Sequence, residues 1–133
     1  MSTFHLKIST PDGLKFDGEV ERLRVRMIDG DLSLLSHHMD YVSAVGAGEA
    51  AIVTADGETK FAACIGGMLA MINNEANLIA TTFEWADEID LDRAKRAKEN
   101  AEARIEAVKH DAQELMLAQA KLQRALVRIN VKH

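Results

Sequence analysis

Between Glu84 and Ala94 the apolar period of this chain changes from two residues to about 3.6, so one structure ends there and another begins. Before the change the chain reads as short alternating strands and tight turns. After it come two helical stretches with little turn chemistry between them. The change is marked by acids (Glu84, Asp87, Glu88, Asp90, Asp92), followed at once by Arg93, Lys95, Arg96 and Lys98. Asp90 is placed to cap a helix, its carboxylate accepting from backbone N–H groups left free at the helix start. The acids around it face the positive end of the helix dipole. Capping is the ordinary reading of Asp90 and Asp92 taken alone.

Upstream, Phe4-His5-Leu6-Lys7-Ile8 alternates and is closed by Pro11-Asp12-Gly13. Asp17-Gly18 reads as a second turn and Asp29-Gly30 as a third. Between those two turns Leu23, Val25 and Met27 share one face and Arg22, Arg24 and Arg26 the other, the usual wet side of a sheet. Further short strands read as Leu32 to Leu35, Tyr41 to Val45, Glu49 to Ala55, Glu58 to Ala63, Cys64 to Ile72 and Ala76 to Thr81. Asp56-Gly57 suits a type I′ hairpin, and Asn73-Asn74 separates the last two strands. Many short strands with frequent turns imply an antiparallel sandwich or flattened barrel, large enough at roughly eighty residues to hold its own core.

Downstream, Ala94, Ala97, Ala101, Ile105 and Val108 form one narrow helical stripe, and Leu115, Ala118, Leu122, Leu126 and Ile129 form a second. Lys109-His110 lies between them, and Asp111 with Glu114 resembles a capping box. Folded antiparallel, Ala94 meets Ile129, Ala101 meets Leu122 and Val108 meets Leu115, with small facing large. The first helix offers mostly methyl groups, so the seam is light and the hairpin can open if another surface offers similar burial.

The chain's 133 residues hold 6 Lys/Arg against 12 Asp/Glu through Ala86, and 10 against 9 from Asp87 onward. An acidic first part and a nearly neutral second part argue against nucleic acid as a partner. No apolar run approaches the ~20 residues of a membrane span. The first residues carry no signal-peptide pattern, so membrane association is expected only through a partner. The single cysteine, Cys64, excludes an internal disulfide and fits a reducing compartment. His37-His38 would point to opposite faces of a strand, and no His, Cys or carboxylate set has ligand spacing. No Ser has evident triad partners, and no glycine-rich phosphate loop precedes a helix. Gly66-Gly67 inside an apolar strand marks a bulge or a close backbone contact. Nothing points to an enzyme or a required cofactor.

Several stretches, in order, resemble the epsilon subunit of bacterial F-type ATP synthases over essentially the whole chain. Phe4-His5-Leu6 with Thr10-Pro11, then Phe16-Asp17-Gly18-Glu19-Val20-Glu21, is similar to that family's opening strands. Asp29-Gly30-Asp31-Leu32 with Leu35 and His38 looks like its Gly-Glu-(Leu/Phe)-Gly…Leu-Pro-Gly-His-Ala-Pro segment. Gly66-Gly67 with Leu69 fits its Ser-Gly-Gly-x-Leu strand. Ile89-Asp90-Leu91-Asp92-Arg93-Ala94 matches its I/L-D-x-x-R-A motif, and Gln123-Arg124-Ala125-Leu126 with Arg128 its last helix.

The resemblance implies an α+β chain: a ten-stranded antiparallel β-sandwich over residues 1–86, then a two-helix antiparallel hairpin over 87–133. It implies a non-catalytic subunit of the rotating central stalk that couples ion translocation to ATP synthesis, on the cytoplasmic face of the bacterial membrane. The sandwich would bind the gamma subunit and rest on the c-ring, partly through the loop with Asp31 and His38; the acidic first part suits basic loops on that ring. The helices would either stay folded or extend among the alpha and beta subunits and oppose ATP hydrolysis, Lys95, Arg96, Arg124 and Arg128 then meeting an acidic loop of beta. In some relatives the folded hairpin binds ATP, with or without magnesium, as a regulatory ligand. The corresponding positions here are Glu84, Ile89, Asp90, Arg93, Ala94, Arg124 and Arg128, the carboxylates taking donors from the nucleoside and the arginines gripping phosphate. The alternative from another class is a free-standing ATP-sensing module with no rotor role.

Two departures from the family pattern stand out. Ser36, Met39 and Asp40 replace Pro, Ala and Pro in the contact loop, and Ser33 replaces a Gly, which implies an altered or looser c-ring contact. Asn100 stands where ATP-binding relatives carry another arginine, and Arg96 and Arg104 are expected to point elsewhere on the helix.

Overall fold

The computed structural model of the chain describes residues 2–132 and consists of two compact units that part in sequence between Trp85 and Ala86. The first unit holds strands β1 (Phe4–Thr10), β2 (Gly13–Met27), β3 (Gly30–Leu35), β4 (Tyr41–Ala44), β5 (Ala47–Thr54), β6 (Thr59–Ile72) and β7 (Glu75–Trp85). The second holds a 3₁₀ turn (Ala86–Glu88) and helices α1 (Leu91–Ala107) and α2 (Ala112–Lys132).

Seven strands are described where ten were expected, and part of the difference is that β2 and β6 run on where breaks were expected. β2 pairs with β1 through its first half and with β3 and β5 through its second. Its register slips between Val20 and Arg22, leaving Glu21 as a bulge, so Val20 and Leu23 both point into the core. One strand thereby serves two layers. Asp17-Gly18 is no turn: Gly18 pairs with Leu6 inside β2, with the Phe16 ring at ordinary contact distance from where a Cβ would sit. Likewise β6 runs unbroken through Ala63-Cys64.

The hydrogen-bonded circuit β1-β7-β6-β5-β2 closes on β1, with β3 added at β2 and β4 at β6. The sandwich is antiparallel except between β1 and β7, which run parallel. Phe4, Leu6, Ile8, Leu23, Met27, Leu34, Ile52, Leu69, Met71 and Leu78 fill the interior. Cys64 lies among them, and burial pushes its thiol up to about 12. An unfolded chain would ionise that thiol first, so its contribution to stability is complete below the ordinary thiol range and is lost as pH rises through it towards 12.

Turn chemistry separates two hairpins that look alike in sequence. Asn73 and Asn74 both take positive φ (52° and 63°), the type I′ geometry. At Asp56-Gly57 only Gly57 does (φ 87°), and Gly57 N–H donates to the Thr54 carbonyl at 2.9 Å. That loop is a type I turn followed by a left-handed glycine, not the expected type I′. Asp56 takes hydrogen bonds from the Thr54 hydroxyl and the Glu58 N–H, which hold its carboxyl below its ordinary range and favour the wider loop.

In the helical unit Asp90 caps α1, accepting from Arg93 N–H at 3.1 Å. Asp111 caps α2, taking Gln113 N–H at 3.1 Å and Glu114 N–H at 3.2 Å. Glu114 does not complete a capping box by any described bond; its carboxylate pairs with Arg104 of α1 at 3.2 Å. The seam departs from the expected stripes. Ala94, Ala101 and Val108 are buried on α1, Ala118 and Ala125 on α2, while Ala97 and Leu126 are exposed. Half-buried Lys98 and Ile105, and Leu115, Leu122 and Ile129, fill the intervening steps. Steps of three and four in strict alternation average 3.5 residues, the period of helices that coil around each other. Methyl groups lie on both sides of this seam, in place of the expected small against large.

Two substitutions test this packing. Gly67 has φ 117°, and a Cβ there would run into the Ile79 carbonyl and the Ala80 backbone. Gly67→Ala should lower stability by about 3 kcal/mol or more. Gly57→Ala, with open space around it, should cost only about 1 kcal/mol; equal losses in thermal melts would refute the close approach. Ala101→Leu should destabilise the helical unit by roughly 1–3 kcal/mol through overpacking. Ala97→Leu should leave the helical circular-dichroism melt nearly unchanged, and the reverse order would restore the expected stripe.

Candidate functional site

The helices enclose a groove of about 500 Å³ along their seam. Four cations line it: Arg104 from α1, and Lys121, Arg124 and Arg128 from α2. Their placement follows from helical spacing, since 121, 124 and 128 are three and four apart and share a face. The floor is made by Ala97, Ala101, Ala118 and Ala125, whose small side chains leave the volume open. Asn100 is the one neutral polar side chain in the lining, and no carboxylate is part of it. Arg104 is tied to Glu114 at 3.2 Å, whereas Lys121 and Arg124 have no ion pair among the described residues.

Of the residues singled out in sequence, Arg124 and Arg128 come together here, with Asn100 across the groove. Arg104, expected to point elsewhere, faces the same space. It lies four residues after Asn100, one helical turn on, and that spacing was the overlooked signal. Lys121 was missed for a similar reason: it is three residues before Arg124.

The other residues of that set do not line the groove. Ile89 is buried, Asp90 is engaged as the α1 cap, Arg93 is exposed in the first turn and Ala94 is buried in the seam. Glu84 lies on β7 in the sandwich unit, opposite Ala63.

In the sandwich, Asp31 and His38 sit at opposite ends of β3. Asp31 begins that strand across from Arg26, with its carboxylate 3.9 Å from both Arg24 and Arg26. His38 follows the other end, its ring edge-on to Tyr41 and Nδ1 2.7 Å from the Met39 carbonyl. About 13 Å of strand separates Asp31 from Leu35. The two residues therefore do not form one cluster.

The loop carrying His38 is fastened by the residues that depart from the family pattern. The Ser36 hydroxyl donates to the Thr3 carbonyl at 3.1 Å, and Asp40 accepts Asn73 N–H at 3.1 Å. Asn74 accepts His37 N–H at 2.6 Å and donates to Thr3 at 3.3 Å. Side-chain hydrogen bonds thus hold the loop at Ser36 and Asp40. Met39 stands out at its tip, 80% exposed. Among the described residues no group of three or more His, Cys, Asp or Glu side chains is arranged to hold a metal, and no helix is long and apolar enough to cross a membrane.

Two family profiles divide the chain as its folding units do. The ATP synthase delta/epsilon chain beta-sandwich domain matches residues 3–86, and the delta/epsilon chain long alpha-helix domain matches residues 87–132. The ATP synthase epsilon chain of Caldicellulosiruptor bescii is 37% identical, covering 98% of this chain and 94% of that protein. The sodium-ion-specific ATP synthase epsilon chain of Acetobacterium woodii is 38% identical over 82% of each. In fold, the chain resembles one in the cryo-EM structure of the Euglena gracilis mitochondrial ATP synthase, with a TM-score of 0.88 at 16% identity, covering 100% of this chain and 83% of that one. The chain belongs to the ATP synthase delta/epsilon family, the non-catalytic central-stalk subunits of F-type ATP synthases.

Proposed function

We propose that residues 1–86 attach this subunit to the gamma subunit and the c-ring, while residues 87–133 regulate the enzyme from the cytoplasmic face of the bacterial membrane. The c-ring contact falls to the Ser36–Asp40 loop, where Met39 and His38 project from a hydrogen-bonded frame. Asp31, at the far end of β3, belongs to a separate acidic contact. Membership in the family favours this reading over a free-standing nucleotide sensor, and co-purification with gamma in near-equal amounts tests it.

The helical hairpin opposes ATP hydrolysis when it opens towards the alpha and beta subunits, and ATP favours the closed form. The observation that carries this is the cationic groove, which exists only while the two helices are packed together. Arg124 and Arg128 present guanidinium forks to phosphate oxygens. A ligand of the closed state at 100 times its dissociation constant would contribute about 2.7 kcal/mol. The seam as a whole, with Val108, Ile105, Leu115, Leu122 and Ile129 beside the four buried alanines, contributes on the order of 10 kcal/mol gross and less net. A ligand decides the state where the open and closed forms differ by a few kcal/mol.

Removing residues 87–133 should raise ATP hydrolysis by the assembled enzyme severalfold, and an unchanged rate would refute the inhibitory role. Calorimetric titration of the full chain with ATP should give saturable heat that Arg124→Ala with Arg128→Ala abolishes; no heat at millimolar ATP would refute the sensor.

A further inference from the structure

We infer that two copies of this chain pair through the outward face of α2, running antiparallel about a two-fold axis midway between Gln119 and Gln123. This face shares no residue with the cationic groove and needs no ligand there.

A turn of about 100° per residue sorts the side chains of α2 into three strips. Ala118, Leu122 and Ala125 turn to α1. Every charged residue of the helix (Glu114, Lys121, Arg124, Arg128 and Lys132) falls within a single arc of about 80° on the groove side. The third strip, made of Met116, Gln119, Ala120, Gln123, Leu126 and Val127, carries no charge, although 28% of the chain's residues are charged. On α1 the face turned away from the seam is an ordinary wet one, with Asp92, Arg96, Glu99 and Glu106. Met116 is nevertheless 68% exposed and Leu126 44%, along a shallow furrow of about 490 Å³. A contiguous uncharged strip with bare large side chains marks a docking surface.

What this strip fits is its own copy. A two-fold axis brings identical faces together, and they repel at every charge that lies on them; here there is none. Met116, Gln119, Gln123 and Leu126 step by three, four and three, the core spacing of helices that coil in pairs. In an antiparallel pair centred between the two glutamines, Met116 lies against Leu126 of the second copy and Gln119 against Gln123, each contact occurring twice. An amide both donates and accepts, so the two glutamines satisfy each other. Neither has a side-chain hydrogen bond among the described residues, so neither must give one up. Antiparallel helices also set their dipoles in opposition, which favours this orientation over the parallel one. From Met116 to Leu126 the strip runs about 15 Å along the axis. That is short of the ~800 Å² per partner of a standard stable interface, so the pair forms and parts with concentration.

The test is sedimentation equilibrium of the full chain from micromolar to millimolar concentration. The mean mass should climb from 14.6 kDa towards twice that value, with little dependence on salt. Met116→Glu alone and Leu126→Lys alone should each weaken pairing tenfold or more. Both substitutions in one chain should restore most of it, because each new carboxylate then meets the new ammonium of the other copy, and the restored pair should weaken as salt rises. The two positions are ten residues apart on the helix, too far to pair within one chain. Glu99→Lys, a charge reversal on the outer face of α1, should change nothing, with circular dichroism confirming intact helices in every variant.

A mass that stays at 14.6 kDa up to millimolar chain would overturn the inference and leave the strip to a helix of some other protein. Pairing that survives both single substitutions would place the contact on another face and overturn it equally. Loss in each single variant without recovery in the double one would overturn the antiparallel register.

Discussion

Alanine methyl groups take the most buried positions of the seam between the two helices, alternating with larger half-buried side chains, and the behaviour of the helical unit depends on that choice. Alanine is the best helix former and has no side-chain entropy to lose, so the helices are cheap to form. It also buries little area, so their association is weak. At Ala101, Ala118 and Ala125 the helices approach too closely for a larger side chain, and with Ala97 these small residues leave a groove beside the seam. The small residues therefore produce both a light closure and a groove, and the basic residues beside them give that groove its charge.

The sandwich is built on the opposite principle. Large side chains such as Phe4, Leu6, Ile8, Leu69 and Leu78 are fully enclosed, and the strand circuit closes on itself. Where backbones come too near for any side chain, at Gly67 against Ile79 and Ala80, glycine is required both by space and by φ. The loop between β3 and β4 follows the same economy of motion, pinned to the Asn73-Asn74 turn by Asp40 and Asn74. A firmly pinned β3–β4 loop and the light closure of a helical pair are thus separate properties of separate units. Each traces to side-chain size.

Much of this was legible from residue order. The change of period near Glu84, the turns at Pro11-Asp12-Gly13, Asp29-Gly30 and Asn73-Asn74, and the caps at Asp90 and Asp111 are local signals, and local chemistry decides them. What escaped depends on packing at a distance. Gly18 looks like a turn until the Phe16 ring is placed beside it, and β2 looks like several strands until the Glu21 bulge lets it bend between layers. The seam was misplaced at Ala97 and Leu126 by one residue each, since the packed positions are Lys98 and Ala125, and which of two adjacent residues turns inward is decided by the facing helix. Half the groove was foreseen through Arg124 and Arg128, and half was not, because Arg104 and Lys121 acquire a common purpose only when two helices face each other.

The central claim is that the helical pair opens far more readily than the sandwich unfolds. Native-state hydrogen exchange on the full chain measures both at once, because each amide reports the free energy of the opening that exposes it. The account predicts that seam amides such as those of Ala101, Ala118 and Ala125 exchange through an opening several kcal/mol below the one that releases Leu6, Ile52 and Leu78, and that an added phosphate ligand slows only the former. If both sets exchange with the same free energy, as one cooperative unit, the helices are not lightly held and the switching account is wrong.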